Sequence, residues 1–314
     1  MSQRKPVDGK AAVLMTGLCA IWGMQQIGLK AAAPDMAPVL QVSLRSGLTA
    51  PVIFLLVLLR GDAGALGHGT WKPGILAGLF FGSEFLCVGE GLRFTSASHM
   101  AIFLYMAPIF AALGLHLRLP EERLSLTQWG GIGLAFLGVA VSFAGRAPGG
   151  GTPAGGAIWL GDLLGIAAAM SWSGATLTIR FSRLSDAPAT VTLLYQLTGG
   201  FLLLFAAALA TGQTGFTVTP ILVASLAFQT VMVSCVSFLA WFALLRTYLA
   251  SQLGVLSFMT PLFGVAFGVV LLDEALDAAF VVGAAMVLAG VFSVSRGGLR
   301  RRRFVPRPGG RQDP

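Results

Sequence analysis

Glu84 is the residue whose surroundings most need a chemical explanation. It stands in the middle of an apolar stretch, Pro73–Leu92, with no basic residue within a helical turn. If that stretch crosses a bilayer, the carboxylate lies near the midplane, where an isolated charge costs ~2.5–3.5 kcal/mol or more. Such a group must face a hydrated cavity or carry its proton. A carboxyl that gains and loses a proton there suits a proton-coupled carrier, and a neutral Glu hydrogen-bonded between helices is the structural alternative. Glu90 follows six residues later, about 120° round a helix and nearer one surface. It is placed for a gate or rim, or for a solvated pairing with Arg93. Arg45 lies a third of the way into Ala37–Leu59 and can pair with Glu84 or Glu90, bind a substrate carboxylate, or snorkel to the interface.

Neutral groups fill out the candidate site. Trp22 and Trp172 fall in mid-span, away from the interfacial belts where Trp anchors helices, and a buried indole N–H needs a partner. They can wall a cavity for an amphipathic cargo or pack as ordinary core. Gln25, Gln26, Tyr105, Tyr195 and Gln196 add hydrogen-bonding groups of the kind that orient ligands in mostly apolar pockets. The competing account is interhelical polar contacts of ~0.6 kcal/mol each. Gln26, Tyr105, Tyr195 and Gln196 are taken, with Glu84 and the two tryptophans, as candidate substrate-binding residues. Glu84, Glu90, Arg45, Pro108 and Pro261 are taken as candidates for coupling or gating, the prolines because each kinks its helix.

Other chemistries find little support. His68, His99 and His116 are scattered, with no metal-ligand spacing joining them. Cys19, Cys87 and Cys235 all lie in apolar segments without paired spacing, and are expected as small core hydrophobes. The Gly130-Gly131-Ile132-Gly133 run follows no strand and precedes no Walker lysine, so it and the Ala285/Ala289 pair are expected to be helix-packing faces. An enzyme is not expected, nor a metal or a cofactor.

The elements that carry these residues must be membrane helices. The chain is 55% hydrophobic and 11% charged, with mean hydropathy +0.80, whereas a soluble domain carries roughly 25% charged residues. Apolar blocks of about 20 residues match the ~30 Å hydrocarbon core as α-helices. No ten-residue alternation of the barrel type is visible. Ten spans are expected: Ala11–Ala32, Ala37–Leu59, Pro73–Leu92, Ala97–Leu117, Thr127–Ala144, Ile158–Ile179, Ala189–Ala210, Ile221–Leu244, Leu249–Leu272 and Leu276–Val294. The N-terminal apolar stretch is long and holds Gln25 and Gln26, so it is expected as a retained first helix and not a cleaved signal.

Net charge is +8 and the pI near 10.1, but the basic residues cluster in loops of one side and in the run Arg300–Arg303. With the N-terminus cytoplasmic, only Lys30, Arg45, Arg93 and Arg146 of the 21 fall elsewhere. Both termini are therefore expected inside, with the tail beside anionic headgroups and no nucleic-acid partner.

Self-comparison shows a repeat. At one constant offset Leu92/Leu245, Arg93/Arg246, Ala97/Ala250, Ser98/Ser251, Met106/Met259, Pro108/Pro261 and Phe110/Phe263 coincide. After a one-residue gap Glu122/Glu274, Leu124/Leu276, Gly131/Gly283 and Gly138/Gly290 follow. Further upstream, Trp22 meets Trp172 and Lys30 meets Arg180. Each half holds five spans, an odd number, so the second enters the bilayer inverted. Inverted repeats are a common architecture of secondary transporters, with the substrate near the midplane between halves.

The doubled order of motifs carries a family resemblance. Trp22-Gly23, Lys30, Gly91-Leu92-Arg93, Pro108 and Glu121-Glu122-Arg123-Leu124 are answered by Gly161-Asp162-Leu163, Trp172, Leu244-Leu245-Arg246, Pro261 and Asp273-Glu274-Ala275-Leu276. From Ala11 to Ser295 the chain resembles the drug/metabolite transporter superfamily, EamA type; Glu90-Gly91 before Leu-Arg departs from the usual apolar pair. The resemblance implies an all-α integral membrane protein, ten transmembrane helices as two inverted five-helix repeats around a central cavity. The expected divisions are a cytoplasmic N-terminus 1–10, a first repeat 11–145, a Gly/Pro-rich linker 146–157, a second repeat 158–295 and a basic tail 296–314. It further implies export of amino acids or similar small amphipathic metabolites, expected by alternating access at a bacterial inner membrane; with no ATP-binding motif, the substrate gradient or an ion gradient, protons first, is the expected driving force. A channel or uniporter and a non-transporting scaffold are the alternatives. The expected partners are the bilayer and a small-molecule substrate; whether the chain forms a homodimer stays open.

Overall fold

The structure, a computed structural model, describes residues 8–67, 69–118, 124–144, 158–248, 253, 256–257 and 259–303. Several expectations therefore fall outside the described residues. They are the linker from 146, Glu122 and its neighbours, most of the start of the ninth expected span, and the tail beyond 303; the side chain of Arg246 is likewise undescribed.

The described elements are helical. In chain order they are α1 (Gly9–Ala31), α2 (Pro38–Leu59), α3 (Trp71–Gly91), α4 (Ala97–Leu104), α5 (Ala107–Arg118), α6 (Leu126–Ala144), α7 (Ile158–Arg180), α8 (Ala189–Ala210), α9 (Pro220–Ala227), α10 (Phe238–Thr247), α11 (Met259–Leu272) and α12 (Ala278–Arg303). A π-helix, Phe228–Ser237, joins α9 to α10. Six stretches are long and apolar enough to cross a membrane, among them Gly9–Ala31, Ala97–Arg118 and Pro220–Trp241, and shorter apolar helices accompany them.

Local chemistry sets the helix starts. Asp8 caps α1 by accepting the Ala11 amide at 2.8 Å. Pro38 and Pro220 occupy first-turn positions, where a missing N–H is harmless. Asp277 accepts the Phe280 amide at 2.6 Å and starts α12. That helix continues through Arg303, into the stretch expected as tail.

Two spans depart from the continuous helices expected. The Ala97–Leu117 stretch is split, with Tyr105 and Met106 between α4 and α5. Proline cannot donate to the carbonyl four residues back and its ring clashes with it; for Pro108 that carbonyl belongs to Leu104, the last residue of α4. The Ile221–Leu244 stretch carries the π-helix, which hydropathy does not reveal, because widened turns leave the apolar content unchanged.

The distribution of polarity is that of a protein dissolved in lipid. Val13, Leu59 and Val270 are each about three-quarters exposed, as are many other leucines and valines in part. Arg45, Gln41, Asp162, Gln229 and Ser234 are fully buried. α2 shows the reversal within one helix: Gln41, Arg45, Ser46 and Thr49 point inward while Leu48, Val52 and Leu55 point out. Water would penalise that outer face, and hydrocarbon does not.

Glycine permits close crossings between helices of the first and second halves. A Cβ on Gly78 of α3 would meet the Tyr195 carbonyl at 2.6 Å and Gly199 at 3.1 Å on α8. One on Gly23 of α1 would meet Phe263 at 2.8 Å on α11. Gly138 of α6 lies against Gly283 and Met286 of α12, and Gly290 of α12 against Gly131 and Ala135. Of the expected glycine run, Gly130 and Gly133 face open space, and Ala285 and Ala289 are exposed. The helix-packing face is turned toward Gly131, Gly138, Gly283 and Gly290 instead.

Candidate functional site

Arg45 anchors the site. Its side chain is fully buried on α2, its guanidinium carbon sits 4.5 Å from the centroid of the Phe85 ring, and one Nη donates to Gln229 Oε1 at 3.4 Å. The Nε and the second Nη make no hydrogen bond. A guanidinium has five N–H donors, and leaving most of them unsatisfied away from water is expensive.

Glu84, also buried, feels this charge across the interior from α3. No ion pair within 4 Å joins the two side chains. Arg45 and Glu84 thus interact through the interior without direct contact.

Further polar and aromatic groups come from neighbouring elements. The π-helix presents Gln229, whose Nε2 donates to Ser225 Oγ at 3.1 Å and lies 3.5 Å from Gln41 Oε1. Gln41 in turn is fixed by donating to the Met36 carbonyl at 2.8 Å. Ser46 on α2 and Thr230 and Ser234 on the π-helix have buried hydroxyls without partners, and Gln26 on α1 has a buried unpartnered carbonyl oxygen. Tyr105, buried at the α4–α5 break, lies near Thr260 and interacts with Glu84 electrostatically. Its ring meets Trp172 edge-on at 5.4 Å. Trp22 donates its indole N–H to Ser237 Oγ at 2.9 Å and packs edge-on against Trp241.

The structure thus links Glu84, Arg45, Tyr105 and Trp172 into one connected group; Gln26 is buried on α1, and Trp22 on the same helix packs with Ser237 and Trp241. It does not bring Tyr195 there. That ring lies over Gly74, with its hydroxyl 3.4 Å from Thr70 Oγ1, and Gly74 is ten residues before Glu84, about 15 Å along α3. Gln196, half-buried, sits beside it on α8. Glu90 is at the far end of α3, bound to Arg93 at 2.6 Å and receiving Gln213 Nε2 at 2.6 Å. Pro108 follows the α4–α5 break, and Pro261 lies buried in the first turn of α11.

Comparison with known proteins bears on what such a site is for. The model of the EamA-like transporter family matches the chain twice, over residues 9–144 and 159–296. The chain belongs to the EamA-like transporter family. It is an integral, multi-pass membrane transporter. This EamA-like transporter is 28% identical over 307 residues to the probable amino-acid metabolite efflux pump of Salmonella typhimurium, covering 94% of this chain and 97% of that one. It is 25% identical to the probable amino-acid metabolite efflux pump of Escherichia coli, covering 95% and 97%. It is 22% identical to the uncharacterized transporter YoaV of Bacillus subtilis, covering 87% and 92%. A protein of known crystal structure superposes with a TM-score of 0.61, covering 94% of this chain and 99% of that one at 20% identity, so the fold is shared.

Several residues of the transporter's interior escape sequence reasoning. Gln41, Ser225, Gln229 and Ser234 are polar residues inside apolar spans, the same signal that singles out Gln26, but single polar residues are common in membrane helices and their convergence needs coordinates. Asp162 opens α7 and is fully buried, accepting from Thr95 Oγ1 at 2.6 Å and lying 3.2 Å from His99 Nδ1. Glu274, met in the sequence as a repeat position, caps α4: it accepts the Ala97 and Ser98 amides at 2.7 and 3.0 Å.

Proposed function

We propose that this transporter exports amino acids or closely similar small zwitterionic metabolites, and that Arg45 and Glu84 receive the carboxylate and the ammonium of the cargo. The observation that carries this reading is the fully buried Arg45 with free Nε and Nη donors beside a separated Glu84. A bidentate carboxylate satisfies both donors at once, and charge-assisted hydrogen bonds of this kind are the strong ones. Ionisable groups inside a membrane are expensive and mark substrate or ion pathways. Gln26, Ser46, Thr230 and Ser234 supply neutral donors and acceptors, while Tyr105, Trp172 and Trp22 form an apolar wall for the side chain of the cargo. The Salmonella and Escherichia relatives, both named as probable amino-acid metabolite efflux pumps, support the same cargo class.

The architecture we assign is ten membrane helices in two inverted five-helix repeats, 11–145 and 158–295, joined by the 146–157 linker, with both termini cytoplasmic at an inner membrane. The doubled family match and the paired positions of Pro108 and Pro261, each just inside a helix start, support it. Alternating access then rocks one half against the other. Glu84, the acid of the central site, exchanges its proton for the cargo ammonium and couples export to proton entry, while Pro108 and Pro261 hinge the helices and Glu90 holds the rim.

Flux of an amino-acid panel in proteoliposomes, with and without a pH gradient, tests this. Export of at least one amino acid driven by the gradient is expected, and Glu84→Gln is expected to transport with its pH dependence flattened. Unchanged pH dependence in Glu84→Gln would reject the coupling role, and no amino-acid flux in any arm would reject the cargo.

A further inference from the structure

The structure holds a pair of matched polar ties outside the central site. Thr95, at the α3–α4 connection, donates to Asp162 of α7 at 2.6 Å. Tyr248, just after α10, donates to Asp8 ahead of α1 at 3.0 Å. Thr95 and Tyr248 stand at the same offset that pairs Leu92 with Leu245 and Pro108 with Pro261. Asp8 and Asp162 sit at or near the starts of α1 and α7, the first helix of each half. Thr95–Asp162 joins the two halves directly, and Tyr248–Asp8 joins the second half to the cap of α1, the first helix of the first half.

They lie at opposite ends of the molecule. Asp8 caps the N-terminus of α1, a helix of 23 residues and so about 34 Å long. Lys30, at its other end, donates to the Thr95 carbonyl at 2.8 Å and to that of Leu92. The Thr95 end is reinforced across the halves. His99 Nδ1 lies 3.2 Å from both Asp162 oxygens, its ring stacks on Phe280 at 3.9 Å, and the Glu274 carboxylate takes Ser98 Oγ at 2.5 Å as well as the α4 amides. Both ties are made in the same structure, and Arg45 and Glu84 between them are buried.

We infer that Thr95–Asp162 and Tyr248–Asp8 are the two gate latches of the transport cycle, one sealing each end, and that the structure is the occluded state in which both are closed. The inference rests on the carrier reading above. Opening at one end separates the halves there, so one acid must lose its hydroxyl partner while the other keeps its own. A hydroxyl donating to a carboxylate suits this task, since water can replace either partner once the end opens.

The test uses the full chain with Cys19, Cys87 and Cys235 changed to Ala and one reporter, Ser234→Cys, in the central site. A charged, membrane-impermeant maleimide is applied to either face of oriented vesicles. Asp162→Asn and Thr95→Val are expected to raise labelling about tenfold from the face bearing the C-terminal end of α1, and from that face only. Asp8→Asn and Tyr248→Phe are expected to do so only from the opposite face. Thr95→Ser is expected to label as the parent does. Thr95→Val and Tyr248→Phe remove only a hydroxyl, so they carry the test where an acid variant fails to assemble. Equal gains from both faces, or no gain from either while detergent-unfolded protein labels fully, would overturn the latches. Amino-acid protection of the same cysteine reports the site separately. Protection without one-sided labelling removes the latches and keeps the cargo; one-sided labelling without protection does the reverse.

Discussion

At the scale of single residues, charge and burial decide the account. Glu84 and Arg45 were conspicuous in the sequence because each is an ionisable group within an apolar block, where any such group must justify its desolvation. That they share one interior was not legible, since nothing in a linear sequence fixes how α2 and α3 are rotated. Tyr195 shows the converse. Its type suited a ligand, but Gly74 leaves a hollow in α3 that takes the ring as packing, and Gly78 takes the backbone of Tyr195. Asp8 bears on pH. The Ala11 amide, first, holds its carboxyl below the usual carboxylate range against the opposing effect of desolvation, and the Tyr248 hydroxyl adds to the lowering. A depressed folded value means that the stabilisation is complete above the unfolded value near ~4 and is lost as pH falls through the folded one. Thermal unfolding in detergent should therefore show Asp8→Asn below the parent at pH 7, with the two melting temperatures converging as pH falls below the usual carboxylate range. A difference that persists at the lowest pH would contradict the charged contact.

At the scale of elements, hydropathy located the helices well because lipid length sets span length. It missed the features that depend on which face a residue takes. The Pro108 break was legible from proline chemistry, although a kink was the expectation and a full interruption at Tyr105–Met106 is what occurs. The π-helix had no signal in composition, yet its widened turns carry Gln229, Thr230 and Ser234. The glycines separate into those that touch and those that do not. A side chain on Gly78 would collide with the backbone of α8, and backbone cannot yield as a flexible side chain can. Gly78→Val should lower the melting temperature by several degrees or prevent assembly. Gly130→Ala, with nothing within 4 Å, should change stability by no more than about 1 kcal/mol, the helix-propensity difference. Equal tolerance of both changes, measured by thermal unfolding in detergent, would contradict the α3–α8 crossing.

At the scale of the whole molecule, the membrane class followed from the scarcity of charge, and the doubled motif order pointed to the family that the match over 9–144 and 159–296 establishes. Which helices cross between the halves could not be deduced, because internal similarity gives the pairing of positions and not of contacts. The structure packs α3 on α7 and α8, α1 on α11 and α6 on α12, so each half completes the core of the other. A site at such a seam can change its exposure when the halves move, without either half unfolding. The claim beneath the transport cycle is that this seam holds one zwitterion between Arg45 and Glu84. Equilibrium binding of an amino acid and of its carboxamide to the purified protein measures that directly. A charge-assisted hydrogen-bonded contact of about 1.5–3 kcal/mol predicts that the amino acid binds roughly tenfold or more tightly than its carboxamide, and that Arg45→Gln abolishes the preference. Equal affinity for the two ligands in the unaltered protein, or a preference that survives Arg45→Gln, would contradict it.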